Sequence, residues 1–195
     1  MADISVTASK KSTRKRILAV RDALGGDARA QLSTVITDKL LALPGFGRSK
    51  TVSAYISFGS EFDTAAFIAE VLRSGKRLML PRIDREQRLM HFHTVTDVQE
   101  SLLPGAWGIR EPDPLRCPRA DLDDVDLMLV PGLAFTKRCE RLGYGGGFYD
   151  AAIEKTRPGA KKVVAAFSVQ IVDTLGVEPH DRRVDMVLTE NAIYS

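Results

Sequence analysis

Cysteine, tryptophan and long apolar runs are all scarce in this chain, and each scarcity removes a class of protein. The two cysteines, Cys117 and Cys139, share no CxxC spacing. A disulfide framework or cysteine-rich zinc site is therefore not expected, and a reducing compartment fits. No apolar run reaches the ~20 residues of a membrane span, and the opening residues are too polar for a secretory signal. A cytoplasmic protein with no membrane partner is expected. Repeats, low-complexity tracts and linkers are also missing, so residues 1–195 read as a single domain. A chain of that length buries roughly 70% of its unfolded surface and needs no staple.

The net charge of +3 is small but unevenly placed. Lys10, Lys11, Arg14, Lys15, Arg16 and Arg21 crowd the first turns of the chain. Such a cluster reads as an anion site, a solvated helix face or a nucleic-acid arm. Nucleic acid is disfavoured, because no aromatics interleave with these cations and no second basic run follows.

Apolar periodicity alternates between helix and strand. Ile17, Val20, Ala23 and Leu24 mark a first helix. Leu32, Val35, Ile36, Leu40 and Leu43 mark a second, opened by Asp27 and stopped by Pro44 and Gly45. Val52 to Phe58 alternates as a strand; Asp63 or Thr64 then caps a helix carrying Phe67, Ile68, Val71 and Leu72 and ending at Gly75. Strands are predicted over Arg77 to Leu80, ended by Pro81, and over Leu89 to Val95, Asp126 to Val130, Lys162 to Phe167 and Met186 to Thr189. Between them, Thr96 to Cys117 reads as a connection with a short helix. The alternation predicts an α/β fold, a three-layer αβα sandwich around a largely parallel, Rossmann-like sheet.

Chemistry concentrates at Arg141-Leu-Gly-Tyr-Gly-Gly-Gly-Phe-Tyr-Asp150, a glycine cluster with a cation before it and a carboxylate after it. Glycine lets consecutive N–H groups converge on an anion, and a predicted helix from Phe148 places the loop at a positive dipole end. A P-loop is excluded because no Lys-Ser or Lys-Thr follows the last glycine. Phe148 occupies the third-glycine position of a dinucleotide fingerprint. A plain flexible turn explains the glycines alone, but has no need of Arg141 and Asp150 at its ends. Phosphate plus metal is the reading that uses all of them. His91 and His93, at i, i+2 on a strand, point to one face; without a third ligand nearby, a solvated or hydrogen-bonded pair is favoured over zinc.

Val130-Pro-Gly-Leu-Ala-Phe135 followed by that loop resembles the signature of the 5-formyltetrahydrofolate cyclo-ligases, also called 5,10-methenyltetrahydrofolate synthetases. Lys10-Lys-Ser-Thr-Arg14, Ser57-Phe-Gly-Ser-Glu-Phe-Asp-Thr64, Trp107-Gly-Ile109 and Glu178-Pro-His-Asp181 fall in the family's order, so the resemblance covers essentially the whole chain. It implies ATP- and Mg2+-dependent closure of 5-formyltetrahydrofolate to 5,10-methenyltetrahydrofolate, with release of ADP and phosphate. A formamide oxygen is a poor leaving group; phosphorylation activates it, and the folate N10 then attacks.

The resemblance also implies roles. Lys10, Lys11, Ser12, Thr13 and Arg14 would meet the ATP phosphates, Lys10 the γ-phosphate, with Arg14 also at the edge of the folate. Arg141, Leu142, Gly143, Tyr144, Gly145, Gly146, Gly147, Phe148 and Tyr149 would hold the triphosphate, with Lys10 and Arg141 the catalytic cations. Residues Tyr144 to Tyr149 would also border the folate, together with Ile56, Glu61 and Trp107. Glu61 would accept from pterin N–H donors; Trp107 would offer a flat face, although a lone tryptophan is more often core. Asp150 and Asp181 match magnesium positions, with His180 adjoining; helix-dipole complementarity also accounts for Asp150. Relatives commonly carry a loop cation where this chain has Tyr144 and Gly146, and Asp and Gly where it has Thr136 and Cys139; Lys137 or Arg138 is a candidate replacement for that cation. The expected assembly is a monomer acting on a small folate, polyglutamylated or not. A non-catalytic nucleotide- or folate-binding homologue and an RNA-binding one are the competing readings.

Overall fold

The computed structural model describes residues 4–176, 178 and 181–195; His180 lies outside the described residues. In chain order the elements are α1 (Ile4–Asp22), α2 (Gly26–Leu41), α3 (Pro44–Arg48), β1 (Thr51–Ser53), α4 (Ala65–Arg73), β2 (Arg77–Asp84) and β3 (Leu89–Val95). There follow β4 (Leu102–Pro104), β5 (Arg110–Pro112), β6 (Arg119–Ala120), β7 (Leu127–Leu129), β8 (Ala134–Phe135), β9 (Arg141–Leu142), α5 (Phe148–Glu154), β10 (Lys161–Ala165), β11 (Met186–Leu188) and β12 (Ile193–Tyr194).

Eight strands form the main sheet in the order β12-β11-β10-β7-β1-β2-β3-β6. The five from β11 to β2 are parallel, while β12, β3 and β6 add antiparallel edges. Central parallel strands are covered on both faces, which is why β7 reads as an unbroken apolar run. Leu127 and Leu129 join Ile36, Leu40, Phe67, Ile68 and Val71 in the core under α2 and α4. Met128 and Val130 join Ala152 and Ile153 of α5 on the opposite face. Three layers result.

Two strand boundaries differ from the sequence expectation. The Val52 to Phe58 strand ends at Ser53, and only the Ala54 N–H, donating to the Met79 carbonyl at 3.0 Å, continues its ladder. Pro81 does not end β2. Arg77 N–H donates to the residue before β1 and the Met79 carbonyl accepts from the residue after it, so by alternation the missing Pro81 N–H falls on that side, past the end of β1, and costs no ladder bond. β2 therefore runs on to Asp84, paired along its length with β3. The Thr96 to Cys117 connection holds the β4–β5 hairpin, with a short 3₁₀ turn at Ala106–Gly108.

From β1 the chain winds outward to β2, and from β7 in the other direction to β10 and β11. The reversal lies between β1 and β7, and open α/β sheets bind ligands where the strand order reverses, beyond the carboxyl ends. The segments emerging there are residues 54–64 and 130–147, which contain Glu61 and the glycine loop.

Candidate active site

The glycine loop is carried by the β8–β9 hairpin, whose strands are too short to leave a periodic signal. Leu133 N–H donates to the Leu142 carbonyl at 2.8 Å, and Thr136 N–H to the Glu140 carbonyl at 3.1 Å. Cys139 turns the hairpin with φ at +61°, a left-handed conformation costing a non-glycine residue about 1 kcal/mol. Beyond β9, Gly145 has φ +104° and Gly147 has φ +72°. Gly147 stands at the N-terminus of α5, so the loop N–H groups lie beside the first turn of that helix.

α1 packs over this hairpin. Ile17, 1% exposed, sits against Ala134 and Leu142. Lys10, Arg14, Ile17 and Arg21 are spaced for one face of a helix, and Lys10, Ile17 and Arg21 are buried. The apolar set expected for this helix was Ile17, Val20, Ala23 and Leu24, but Val20 and Ala23 are exposed and the face turned inward carries Arg21, whose burial was not foreseen. Lys11, Lys15 and Arg16 remain exposed, as does Ser12, while Thr13 is half-buried.

Three contacts join α1 to the segments it faces. Arg14 Nε donates to the Gly143 carbonyl at 2.9 Å, and its guanidinium covers Gly145. Arg21 Nη1 donates to the Tyr144 hydroxyl at 3.1 Å and Arg21 Nε to Ser60 Oγ at 2.9 Å. Lys10 Nζ lies 2.5 Å from Glu178 Oε2 and 2.6 Å from Asp181 Oδ2. Burial alone lowers the affinity of the Lys10 ammonium for its proton; the bonds and charges of Asp181 and Glu178 outweigh that, and the net shift is upward. Arg138 turns away to Glu140 at 3.4 Å; Arg14, Arg21 and, against Gly143, Arg141 are described cations that do meet the loop.

At the other end of the loop, the Arg141 side chain is 3% exposed and donates from Nη2 to Asp150 Oδ1 at 2.6 Å. Its Nη1 reaches the Pro131 carbonyl at 3.3 Å, while Nε is buried without a partner. A buried guanidinium with an unused N–H is a site that an anionic oxygen completes. Arg182 N–H donates to Asp150 Oδ1 at 3.1 Å, which draws the residue after Asp181 to Asp150. The two carboxylates thus belong to neighbouring segments.

Hard oxygen donors of this kind suit Mg2+. Among the described residues no group of three His, Cys, Asp or Glu side chains is arranged to hold a metal ion. An ion at Asp150 and Asp181 would therefore take its remaining ligands from phosphate oxygens and water, as Mg2+ commonly does.

Glu61 is buried, with Oε1 accepting from the Tyr144 hydroxyl and Oε2 from Phe58 N–H at 3.1 Å. Burial pushes its carboxyl above the ordinary range, against the pull of those bonds and of Arg21. The Tyr149 hydroxyl is buried and unbonded, and its proton is held tightly, first by burial and then by the charge of Glu61. Ile56 faces elsewhere, into a cleft of about 520 Å3 lined also by Ile68, Leu72, Val98 and Leu102. Trp107 is 65% exposed with φ +55° and lies under the Arg85 guanidinium at 5.5 Å, on a separate hairpin. His93 hydrogen-bonds the Cys117 carbonyl at 2.8 Å.

The sequence profile of the 5-formyltetrahydrofolate cyclo-ligase family matches residues 6–190. A mouse 5-formyltetrahydrofolate cyclo-ligase is 30% identical over 200 residues, covering 98% of both chains. One from Mycolicibacterium smegmatis is 30% identical over 183 residues, covering 93% of each. Among solved structures, Aquifex aeolicus 5,10-methenyltetrahydrofolate synthetase superposes with a TM-score of 0.83 at 34% identity, over 95% of this chain and 91% of that one. The Mycoplasma pneumoniae synthetase, at 23% identity and TM-score 0.75, shares the fold. A profile matched nearly from end to end, and relatives matched over 93% or more of their own length, establish that this chain belongs to the 5-formyltetrahydrofolate cyclo-ligase family.

Proposed function

We propose that the chain is an ATP- and Mg2+-dependent enzyme that closes 5-formyltetrahydrofolate to 5,10-methenyltetrahydrofolate, with ADP and phosphate as by-products. The observation that carries the ATP site is the meeting of α1 with the glycine loop, Arg14 Nε on the Gly143 carbonyl at 2.9 Å, at the reversal of strand order. Two cations meet a run of backbone N–H groups there, a donor set suited to a triphosphate.

In the ligand-free chain, Lys10 is neutralised by Glu178 and Asp181, and Arg141 by Asp150. Exchange of partners is the physical basis of binding: the ammonium and guanidinium turn to phosphate oxygens, and Asp150 and Asp181 are the residues that would hold the metal. Magnesium, when bound there, supplies neutralising charge on the phosphates. Lys10 follows the γ-phosphoryl group as it passes to the formyl oxygen, because a compact ammonium on a flexible stem tracks a moving charge. Arg141 holds the phosphate chain in line, and its unused Nε provides a further donor. Glu61 fixes the pterin, aligning N10 with the activated formyl carbon; expulsion of phosphate then leaves the methenyl bridge.

We assign the enzyme to a cytoplasmic setting as a monomer. Among the described residues no helix is long and apolar enough to cross a membrane. The test is the absorbance of the methenyl product on mixing protein, 5-formyltetrahydrofolate, ATP and Mg2+. Folded protein that yields no product with any reduced formyl folate overturns the assignment.

A further inference from the structure

Tyr144 stands inside the glycine loop, and its side chain leaves the loop for a partner 83 positions away. Its hydroxyl donates to Glu61 Oε1 and accepts from Arg21 Nη1 at 3.1 Å. Arg21 is in turn fixed through Nε to Ser60 Oγ, which donates to Asp22. The Tyr144 ring packs on Phe58, centroids 5.5 Å apart and tilted by 42°. Both rings are 41% exposed although Glu61 behind them is 8% exposed. The aromatic pair forms a door over a buried carboxylate.

One carboxylate consequently has two claimants. Glu61 is the group assigned to the pterin N–H donors, and its two oxygens are already engaged by the Tyr144 hydroxyl and the Phe58 N–H. The same tyrosine tethers the backbone between Gly143 and Gly147 that is assigned to the triphosphate. We propose that Tyr144 couples the two sites: a pterin that claims Glu61 displaces the Tyr144 hydroxyl, and the released glycine loop then closes on the nucleotide. The proposal rests on the folate and ATP assignment above.

Donor exchange makes the release selective. Opening the contact with nothing in place strands a buried, charged acceptor, which is costly; opening it against incoming ring N–H donors replaces one charge-assisted bond by others and costs little. A flat heterocycle with adjacent N–H donors meets this requirement and also finds the Phe58 and Tyr144 faces to stack on. Phe58 thereby becomes a folate-contacting residue, exposed at the mouth, to which the Ser57–Thr64 segment alone assigned no role.

Tyr144→Phe removes the hydroxyl and retains the ring. In ligand-free protein, amide hydrogen exchange over residues 143–147 is expected to quicken by about tenfold, the scale of one bond to a charged acceptor. For the coupling, the affinity of a non-hydrolysable ATP analogue is measured with and without 5-formyltetrahydrofolate. In the wild type folate tightens it by about tenfold; in Tyr144→Phe the factor falls close to one. Phe58→Leu, which keeps the hydroxyl, retains most of the factor. A loop that merely lost packing would change affinity without abolishing this interdependence.

Unchanged loop exchange in Tyr144→Phe overturns the proposal, as does an equal coupling factor in both proteins. Wild-type protein that makes methenyl product but shows no coupling overturns it while leaving the enzyme assignment standing. Absence of product overturns the enzyme assignment, and the tether is then judged by exchange alone.

Discussion

The pairing of Arg141 with Asp150 lends itself to a quantitative test. The guanidinium side chain is 3% exposed and the carboxylate 22%. Asp150→Asn preserves shape and deletes the charge. Opposite charges about 4 Å apart attract by about 4 kcal/mol at an effective dielectric of about 20. Solvent at the carboxylate and its own desolvation cost cancel part of that, leaving a net loss of about 2 kcal/mol. For a chain this long the unfolding midpoint is expected to fall by roughly 4–8 °C. The same logic sets the response to an anion. Tripolyphosphate, presented without magnesium, supplies the missing countercharge to Arg141, so it raises the variant's midpoint more than the wild type's. Thermal unfolding followed by circular dichroism, with and without tripolyphosphate, reads both effects. A wild-type midpoint in Asp150→Asn, or equal anion shifts in the two proteins, would falsify the reasoning.

Other perturbations isolate separate parts of the molecule. Gly145→Ala places a side chain at φ +104° with only ordinary contact to Arg14; backbone strain of about 1–3 kcal/mol falls on the loop, and the KM for ATP rises while α/β circular dichroism is retained. Ile17→Ala opens a cavity between α1, Ala134 and Leu142, costing about 2–4 kcal/mol in urea unfolding and raising the KM for ATP, because α1 positions the loop; a KM equal to the wild type's would separate the helix from the site. Asp126 accepts Lys50 N–H at 2.6 Å and Thr51 N–H at 2.9 Å, and also pairs with Arg157. Burial raises its pKa, but those bonds prevail and the net shift is downward from the ordinary carboxylate value. Its stabilisation is thus complete above the unfolded value and is lost as pH falls through the lower folded one. Asp126→Asn is accordingly destabilised by about 2 kcal/mol at pH 7, and the gap closes in urea titrations toward pH 3; a gap independent of pH refutes the assignment.

Elements were legible in the sequence where one physical demand shaped many consecutive residues. β7 has to be apolar on both faces, and α4 has to bury Phe67, Ile68 and Val71 along one stripe, so each left a period. β8 and β9 have two residues each, and their register is set by the turn at Cys139 and by Ile17 from another part of the chain, so no period survives. Pro81 misled because its local cost depends on whether a neighbouring strand extends that far. The glycine loop and the amino-terminal cations were legible as unusual residue types, and the structure brings Arg14 and Arg21 to that loop while Lys11, Lys15 and Arg16 stay on a solvated face. The Tyr144–Glu61 and Arg21–Ser60 contacts were not, since single pairs across 83 and 39 positions imprint nothing on either segment.

Lys10 and Asp181 stand 171 positions apart. During synthesis the first helix leaves the ribosome long before its carboxylate partners have been made, and at about 5–20 residues per second the interval lasts roughly ten seconds or more. Throughout that time the ammonium has water or an adventitious anion for company, and for most of it α1 also lacks the hairpin it must cover. The amino-terminal helix consequently reaches its final ion pairs only as the last strands are delivered.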